Sequence, residues 1–131
     1  MTANAFNEIA ARHGVSLIVQ FGSTVSGHTH DRSDLDVGVL FDEPGASFDR
    51  LAQLTHDLGG VAPGRRVDLA ILNYADPLFL YQVTSRCRLL AGNPQRLARL
   101  KMYAFRRFQD HRKYLALERA YVKRAVGSAT P

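Results

Sequence analysis

The hydrophobic positions of the chain switch between extended and helical spacing, which predicts mixed α and β structure. Three runs have strand character, at residues 17–21, 34–41 and 66–72. In the run DLDVGVLF, which is 34–41, the apolar residues at odd positions share one face of the strand, and the two aspartates at even positions share the other. We therefore expect a small sheet with one apolar face packed against helices.

Four further segments have helical spacing and plausible start or stop signals. They are residues 2–13, a segment capped by Ser47 and ending at Gly59–Gly60, residues 77–88 capped by Asp76, and 94 to about 125, where the pattern allows one break. The order of helices and strands predicts an α/β (α+β) fold with a small mixed central sheet, flanking helices and a long C-terminal helical region. We expect a single domain over 1–131, comprising a core at 1–93, a basic helical segment at 94–126 and a disordered tail at 127–131.

Composition restricts the class of protein further. Hydrophobic residues make up 46% of the 131 residues and charged residues 22%, both ordinary values for a globular domain. No apolar run approaches the roughly 20 residues that a membrane span requires, and the N-terminus lacks the apolar region of a signal peptide. Cys87 is the single cysteine. These features predict a cytoplasmic protein without a membrane anchor.

The net charge of +5 is distributed unevenly along the chain. Residues 1–93 carry a net charge of −3, whereas residues 94–131 carry +8. Such a basic segment can face nucleic acid, nucleotide phosphates or an acidic protein surface. A solvated helix face explains the charge equally well, so composition alone leaves these alternatives open.

The aspartates provide the most specific chemical signal. Asp34 and Asp36 are two residues apart on one predicted strand, so both side chains should leave the same face. Asp68 interrupts the third apolar strand on the face opposite Val67, Leu69 and Ile71, and would join the pair if the strands are neighbours. Hard oxygen ligands of this kind favour Mg²⁺, which usually binds one or two carboxylates together with substrate phosphates. The sequence therefore predicts a magnesium site formed by these three acids.

A glycine and a serine precede the acids at the end of the first predicted strand. Gly22 allows a phosphate to approach the backbone closely, and Ser23 supplies a hydroxyl and the start of a possible short helix. With average residue usage, the pattern GS-x10-D-x-D arises by chance in about two per thousand chains of this length. A capped turn followed by a solvated acidic strand end is the structural alternative. We favour a triphosphate-binding turn beside a metal site.

This combination resembles the signature of the DNA polymerase β-like nucleotidyltransferase superfamily. Nearly the whole chain is similar to its minimal nucleotidyltransferases, specifically the MntA-type antitoxins that are paired with HEPN-domain toxins of the HepT type. Many relatives read GS-x-x-R-G, whereas residues 22–27 here read GSTVSG, without the arginine. The resemblance implies that Asp34, Asp36 and Asp68 bind Mg²⁺, expected as two ions, with Asp68 also acting as general base. It implies that Gly22 and Ser23 hold the phosphates of ATP.

The resemblance also implies a function and a partner. Such antitoxins, of a type VII-like pair, transfer AMP from ATP to a tyrosine of the cognate HEPN-domain RNase toxin and thereby neutralise it. Two alternatives remain open: a binding-only antitoxin with a vestigial site, and a nucleotidyltransferase acting on RNA or a small molecule. Enzymes of the latter kind usually carry a further substrate domain, for which we expect little room here. We expect the basic C-terminal helix to dock the toxin rather than nucleic acid.

Overall fold

The computed structural model describes residues 3–22 and 34–129. This part of the chain contains four helices and four strands. The helices are α1 (Ala3–His13), α2 (Phe48–Val61), α3 (Pro77–Ser85) and α4 (Pro94–Ala129). The strands are β1 (Val15–Phe21), β2 (Leu35–Phe41), β3 (Val67–Ile71) and β4 (Arg88–Gly92). This is the predicted fold class, with a mixed sheet, flanking helices and a long C-terminal helix.

The four strands form one sheet in the order β3-β2-β1-β4. Strand β1 is antiparallel to both β2 and β4, whereas β2 and β3 are parallel. The three strands other than β1 therefore run in one direction. As a result, the end of β1 and the beginnings of β2, β3 and β4 lie at the same end of the sheet. We call this end, where the strand termini meet, the acidic edge.

The sheet is covered by helices on both faces. On one face, α1 and α2 pack through Phe6, Ile9, Leu54 and Leu58 against the odd-numbered apolar residues of β2. On the other face, α3 and α4 form a second core, whose members are Leu17, Val19, Leu40, Leu72, Leu80, Val83, Leu97, Leu100 and Ala104. The alternation read from residues 34–41 is confirmed. The even-numbered face is also buried beyond Asp36, because Leu40 packs into the second core.

Several helix boundaries follow from the capping residues that the sequence offers. The hydroxyl of Ser47 accepts a hydrogen bond from the backbone N–H of Arg50 at 3.2 Å, and α2 begins at the next residue after this cap. The carboxylate of Asp76 accepts one from the N–H of Phe79 at 2.9 Å, with Pro77 at the first helical position. Both predicted caps are therefore confirmed.

The expected helix over 77–88 is wrong at its C-terminal end. Helix α3 ends at Ser85, and Arg88 begins the fourth strand, β4, which was not predicted. The reason is non-local: residues 88–92 pair with β1, where Leu89 lies opposite Val19. Helix α4 is continuous from Pro94 to Ala129, so it has no break and extends three residues past the boundary expected at 126.

Among the residues that the structure describes, no helix combines the length and the apolar character needed to cross a bilayer.

Candidate active site

The topology brings the predicted phosphate turn and the predicted acids to the acidic edge. Phe21 at the end of β1 lies opposite Asp36 near the beginning of β2. Asp36 in turn lies opposite Asp68 in the parallel β2–β3 pair. The backbone N–H of Leu35 donates to the carbonyl of Arg66 at 2.8 Å, which fixes this register where the two strands begin. Residues that are 32 positions apart in the chain thus become direct neighbours.

Asp36 and Asp68 point to the same face of the sheet. Register partners on adjacent strands share a face, and the strands lie about 4.8 Å apart. The opposite face at β3 is occupied by Val67, Leu69 and Ile71, which pack against the core formed with α1 and α2. The two carboxylates therefore lie on the side of the sheet that carries α3 and α4. This is the arrangement expected from the strand periodicity.

The acids influence one another electrostatically. Burial raises the pKa of Asp36 above its ordinary value, and the charges of Asp68 and then Asp34 raise it further. A basic group also lies close to the acids: Nε of Arg66 is 3.8 Å from Oδ1 of Asp68. That pair is solvent-exposed, with 80% and 48% of the two side chains accessible, so it compensates little of the repulsion. The site holds closely spaced negative charge that a cation would stabilise.

Gly22 brings the backbone directly against this charge. Its φ of +80° is in the left-handed region, which glycine adopts without steric cost. A Cβ atom at this position would collide with Oδ2 of Asp36. The turn after β1 therefore requires glycine for two reasons, and a substrate phosphate can approach the backbone beside the carboxylate. Ser23, the other predicted phosphate ligand, lies outside the described residues, as does the possible helix that begins there.

The donor set fits a hard divalent cation, although the ligands are not pre-arranged around one. Carboxylate oxygens are the ligands that Mg²⁺ takes in proteins. The pKa of Asp36 is raised first by burial and then by the charges of Asp68 and Asp34, and a bound cation would offset these effects. Within 3–22 and 34–129, however, no three His, Cys, Asp or Glu side chains are arranged to hold a metal ion. A shared ion at Asp34, Asp36 and Asp68 would therefore require these carboxylates to move relative to one another.

The surroundings of the acids are partly aromatic. The ring of Phe21 packs edge-on against the ring of Phe79 on α3, with 5.9 Å between the centroids.

Cys87 lies just before β4, and burial raises the pKa of its thiol, which disfavours the nucleophilic thiolate. A cleft of about 530 Å³ lies between α1 and α2 and is lined by Arg12 and Asp57 among others. It is on the other face of the sheet and contains none of the three acids.

Two basic residues near the acids and Gly22 become evident only in the structure. Arg66 lies beside Asp68, with 3.8 Å between Nε and Oδ1. The sequence contains a signal for this contact, because Arg66 and Asp68 are two positions apart in a predicted strand and should share one face of it. Arg88 lies at the same sheet edge, opposite Gln20, because β4 begins there. No local signal could place it, since its segment was read as the end of a helix.

Comparison with known protein families identifies the first two thirds of the chain. Residues 4–96 match the family model described as polymerase beta, nucleotidyltransferase. The matched segment begins in α1 and ends just inside α4, so it contains the whole sheet and all the predicted site residues. No curated protein matches the chain in sequence.

Solved structures resemble the chain over nearly its full length. A toxin–antitoxin with AMP-PNP aligns with a TM-score of 0.71 and 23% identity, covering 96% of this chain and 98% of the other. A tri-AMPylated Shewanella oneidensis HEPN toxin in complex with an MNT antitoxin aligns with a TM-score of 0.64 and 21% identity. The alignment covers 95% of this chain and 94% of the other. A candidate minimal nucleotidyltransferase aligns with a TM-score of 0.56 and 32% identity. This alignment covers 66% of this chain and 86% of the other. At identities below 25% the first two establish the fold alone.

Proposed function

The chain belongs to the polymerase beta nucleotidyltransferase family, and on this premise we propose that it is a Mg²⁺-dependent protein adenylyltransferase. It transfers AMP from ATP to a tyrosine of a cognate HEPN-domain toxin in the cytoplasm and so acts as an antitoxin. The observation that carries the proposal is the pairing of Asp36 with Asp68 on one sheet face, next to the left-handed turn at Gly22.

Each predicted residue has a role in this proposal. Asp34, Asp36 and Asp68 would hold Mg²⁺, whose charge neutralises the triphosphate and stabilises the charge that develops during transfer. The backbone at Gly22 and the hydroxyl of Ser23 would hold the phosphates. Asp68, whose side chain is 48% accessible, would accept the proton of the incoming hydroxyl.

The reaction is a displacement at the α-phosphorus of ATP. The phenolic oxygen of the tyrosine forms a bond to the α-phosphorus, and its proton passes to the carboxylate of Asp68. The bond from the α-phosphorus to the oxygen bridging the β-phosphate breaks, and pyrophosphate leaves with that oxygen. The products are an adenylylated tyrosine and pyrophosphate. No external oxidant or reductant is required, because both electron pairs stay with the oxygens that carry them.

Similar structures support the choice of nucleotide and partner. One similar structure is a toxin–antitoxin with AMP-PNP, and another contains an AMPylated HEPN toxin with an MNT antitoxin. Those properties belong to the proteins concerned, and here they motivate ATP as donor and a HEPN toxin as acceptor. The alternatives are transfer to RNA or a small molecule, and neutralisation by binding alone.

Under this proposal we expect the neighbouring gene to encode a HEPN-domain protein with the motif R-x4-H-x-Y, and the test is intact-mass analysis of that protein. After incubation with the purified chain, ATP and Mg²⁺, we expect mass gains of whole adenylyl groups and loss of RNase activity. An unchanged mass with every nucleotide tried would overturn the proposal. Asp36→Ala distinguishes the binding-only alternative: that variant should still form the complex but fail to neutralise, whereas undiminished neutralisation would favour binding alone.

A further inference from the structure

In the part of the chain that the structure describes, the second half of α4 extends past the residues that form the two cores. Every residue from 112 to 126 is exposed. Several of these side chains are large and apolar, and 71% of Leu117 and 74% of Tyr121 are accessible. Isolated helices of this length are marginal in water, and apolar surface of this extent usually marks an interaction site. The segment 112–124, which we call the exposed arm, therefore has the character of a docking surface.

The apolar residues of the exposed arm are spaced for helix packing. Tyr114, Leu117 and Tyr121 follow one another at three and four residues, and Leu115 and Val122 form an adjacent stripe at seven residues. The second stripe continues from Phe108, seven residues before Leu115. Phe108 already packs in this way, since its ring stacks on Tyr81 of α3 with 4.2 Å between centroids. The same stripe thus contacts a helix within the domain and then extends past it.

A carboxylate lies in the centre of this apolar face. Glu118 is three or four residues from Tyr114, Leu115, Tyr121 and Val122, which are its four nearest neighbours on a helix surface. Such a carboxylate is unfavourable against lipid and repels phosphates. It favours instead a protein surface that presents a Lys, an Arg or another hydrogen-bond donor at this point.

The margins of the arm carry the opposite charge. They contain Arg112, Lys113, Arg119, Lys123 and Arg124. A second copy of this chain would bring two such basic margins together and is disfavoured. The aliphatic side chains at 115, 117 and 122 cannot stack on bases, so single-stranded RNA would leave them unsatisfied. An apolar protein helix with acidic margins complements every part of the arm.

We propose that the exposed arm docks an α-helix of the toxin, with acidic side chains facing its margins and a basic group facing Glu118. The identity of that partner rests on the proposed function, whereas the chemistry of the docked helix follows from the arm alone. Docking at the arm would hold the toxin on the antitoxin independently of the transfer reaction.

The experiment measures the affinity of the purified HEPN-domain partner for variants of the full chain by calorimetry. Leu115→Glu should weaken binding at least about tenfold, because it places a charge in the apolar centre of the contact. Ala116→Glu is the matched control, since it adds the same charge to the exposed polar side one position away, and its effect should stay below about threefold. Glu118→Lys should weaken binding about tenfold by setting like charges against each other. Circular dichroism checks that each variant is folded.

The outcomes separate docking from catalysis. Unchanged affinity for Leu115→Glu would overturn the docking proposal even if AMP transfer is observed. Weakened affinity with no transfer by the wild type would uphold docking and refute the proposed function. If Leu115→Glu instead disperses a dimer of the chain, or releases a single-stranded RNA or an anionic vesicle while partner affinity stays unchanged, another occupant is correct and the proposal fails.

Discussion

Asp36 on β2 and Asp68 on β3 are register partners in a parallel pair, and their carboxylates lie on one face of the sheet. Two carboxylates in this arrangement repel each other, and the pKa of Asp36 is raised by burial first and then by Asp68 and Asp34. A fold maintained for stability alone gains nothing from this arrangement. The relationship therefore supports the proposal that this part of the sheet binds a cation.

Asp36→Asn should stabilise the fold in the absence of metal. A raised carboxyl pKa favours the folded state below the unfolded pKa of about 3.9, and that advantage is lost as the pH rises through the folded pKa. The variant should therefore melt about 1–4 °C higher than wild type at pH 7. The difference should disappear near pH 3, where the carboxyl is protonated in both states. Thermal melts in chelator across this range test the prediction, and a lower Tm for the variant at pH 7 would contradict it.

Gly22→Ala should destabilise the fold and disturb the site. The left-handed backbone costs about 1 kcal/mol for a residue with a Cβ, and the collision with the Asp36 carboxylate adds to this. We expect a total loss of about 1–3 kcal/mol in the free energy of unfolding, together with loss of transfer activity.

Gly14→Ala is the matched control for that substitution. Gly14 also has a positive φ, of +65°, but a Cβ there would meet no atom within 4 Å. This variant should lose only about 1 kcal/mol and keep its transfer activity. Denaturant unfolding gives both free energies. Equal losses for the two variants, with activity retained in both, would mean that the contact with Asp36 has no importance.

The contact between His13 and Asp57 should support stability without affecting catalysis. Nε2 of the buried His13 lies 2.7 Å from Oδ2 of Asp57, which ties α1 to α2 on the face away from the acids. The hydrogen bond to His13 is the main cause of the lowered pKa of Asp57, followed among lowering effects by the bond from Arg12. Asp57→Asn should therefore cost about 1–2 kcal/mol at pH 7 and leave transfer unchanged.

The pH dependence of the stability lost in Asp57→Asn follows from the direction of the pKa shift of Asp57. A lowered carboxyl pKa stabilises the folded state above the unfolded pKa of about 3.9, and this contribution vanishes as the pH falls through the folded pKa. The gap between wild type and Asp57→Asn should thus be full at neutral pH and shrink in acid. Asp110→Asn, at an exposed position on α4, serves as control. A gap that grows in acid would contradict the assignment.

The sequence predicted most of the local structure, because local signals determine it. The caps at Ser47 and Asp76 and the alternation over 34–41 each depend on a few neighbouring residues. Strand β4 was missed because Arg88–Gly92 has no strand signal of its own and becomes extended only by pairing with β1. The amide side chain of Asn73 forms hydrogen bonds with both the backbone N–H and the C=O of Phe41. The sequence could not predict this contact either, because the two residues are far apart in the chain.

The candidate site was predictable in composition but not in geometry. The spacing of two residues predicted that Asp34 and Asp36 share one face of their strand. The apolar alternation of the third predicted strand placed Asp68 on the face opposite Val67, Leu69 and Ile71. The register that sets Asp36 opposite Asp68 depends on strand order, which no residue in either strand specifies. The contribution of Ser23 stays a prediction, because that residue lies outside the described part of the chain.

The most direct measurement is the single-turnover rate of AMP transfer from labelled ATP to the HEPN-domain partner by wild type, Asp36→Asn and Asp68→Asn. Each substitution removes one carboxylate charge while keeping the shape of the side chain, and circular dichroism confirms the fold. If the facing carboxylates hold the metal and accept the proton, both variants should be slower by at least about 100-fold, with partner affinity unchanged. A wild-type rate in either variant would contradict the account.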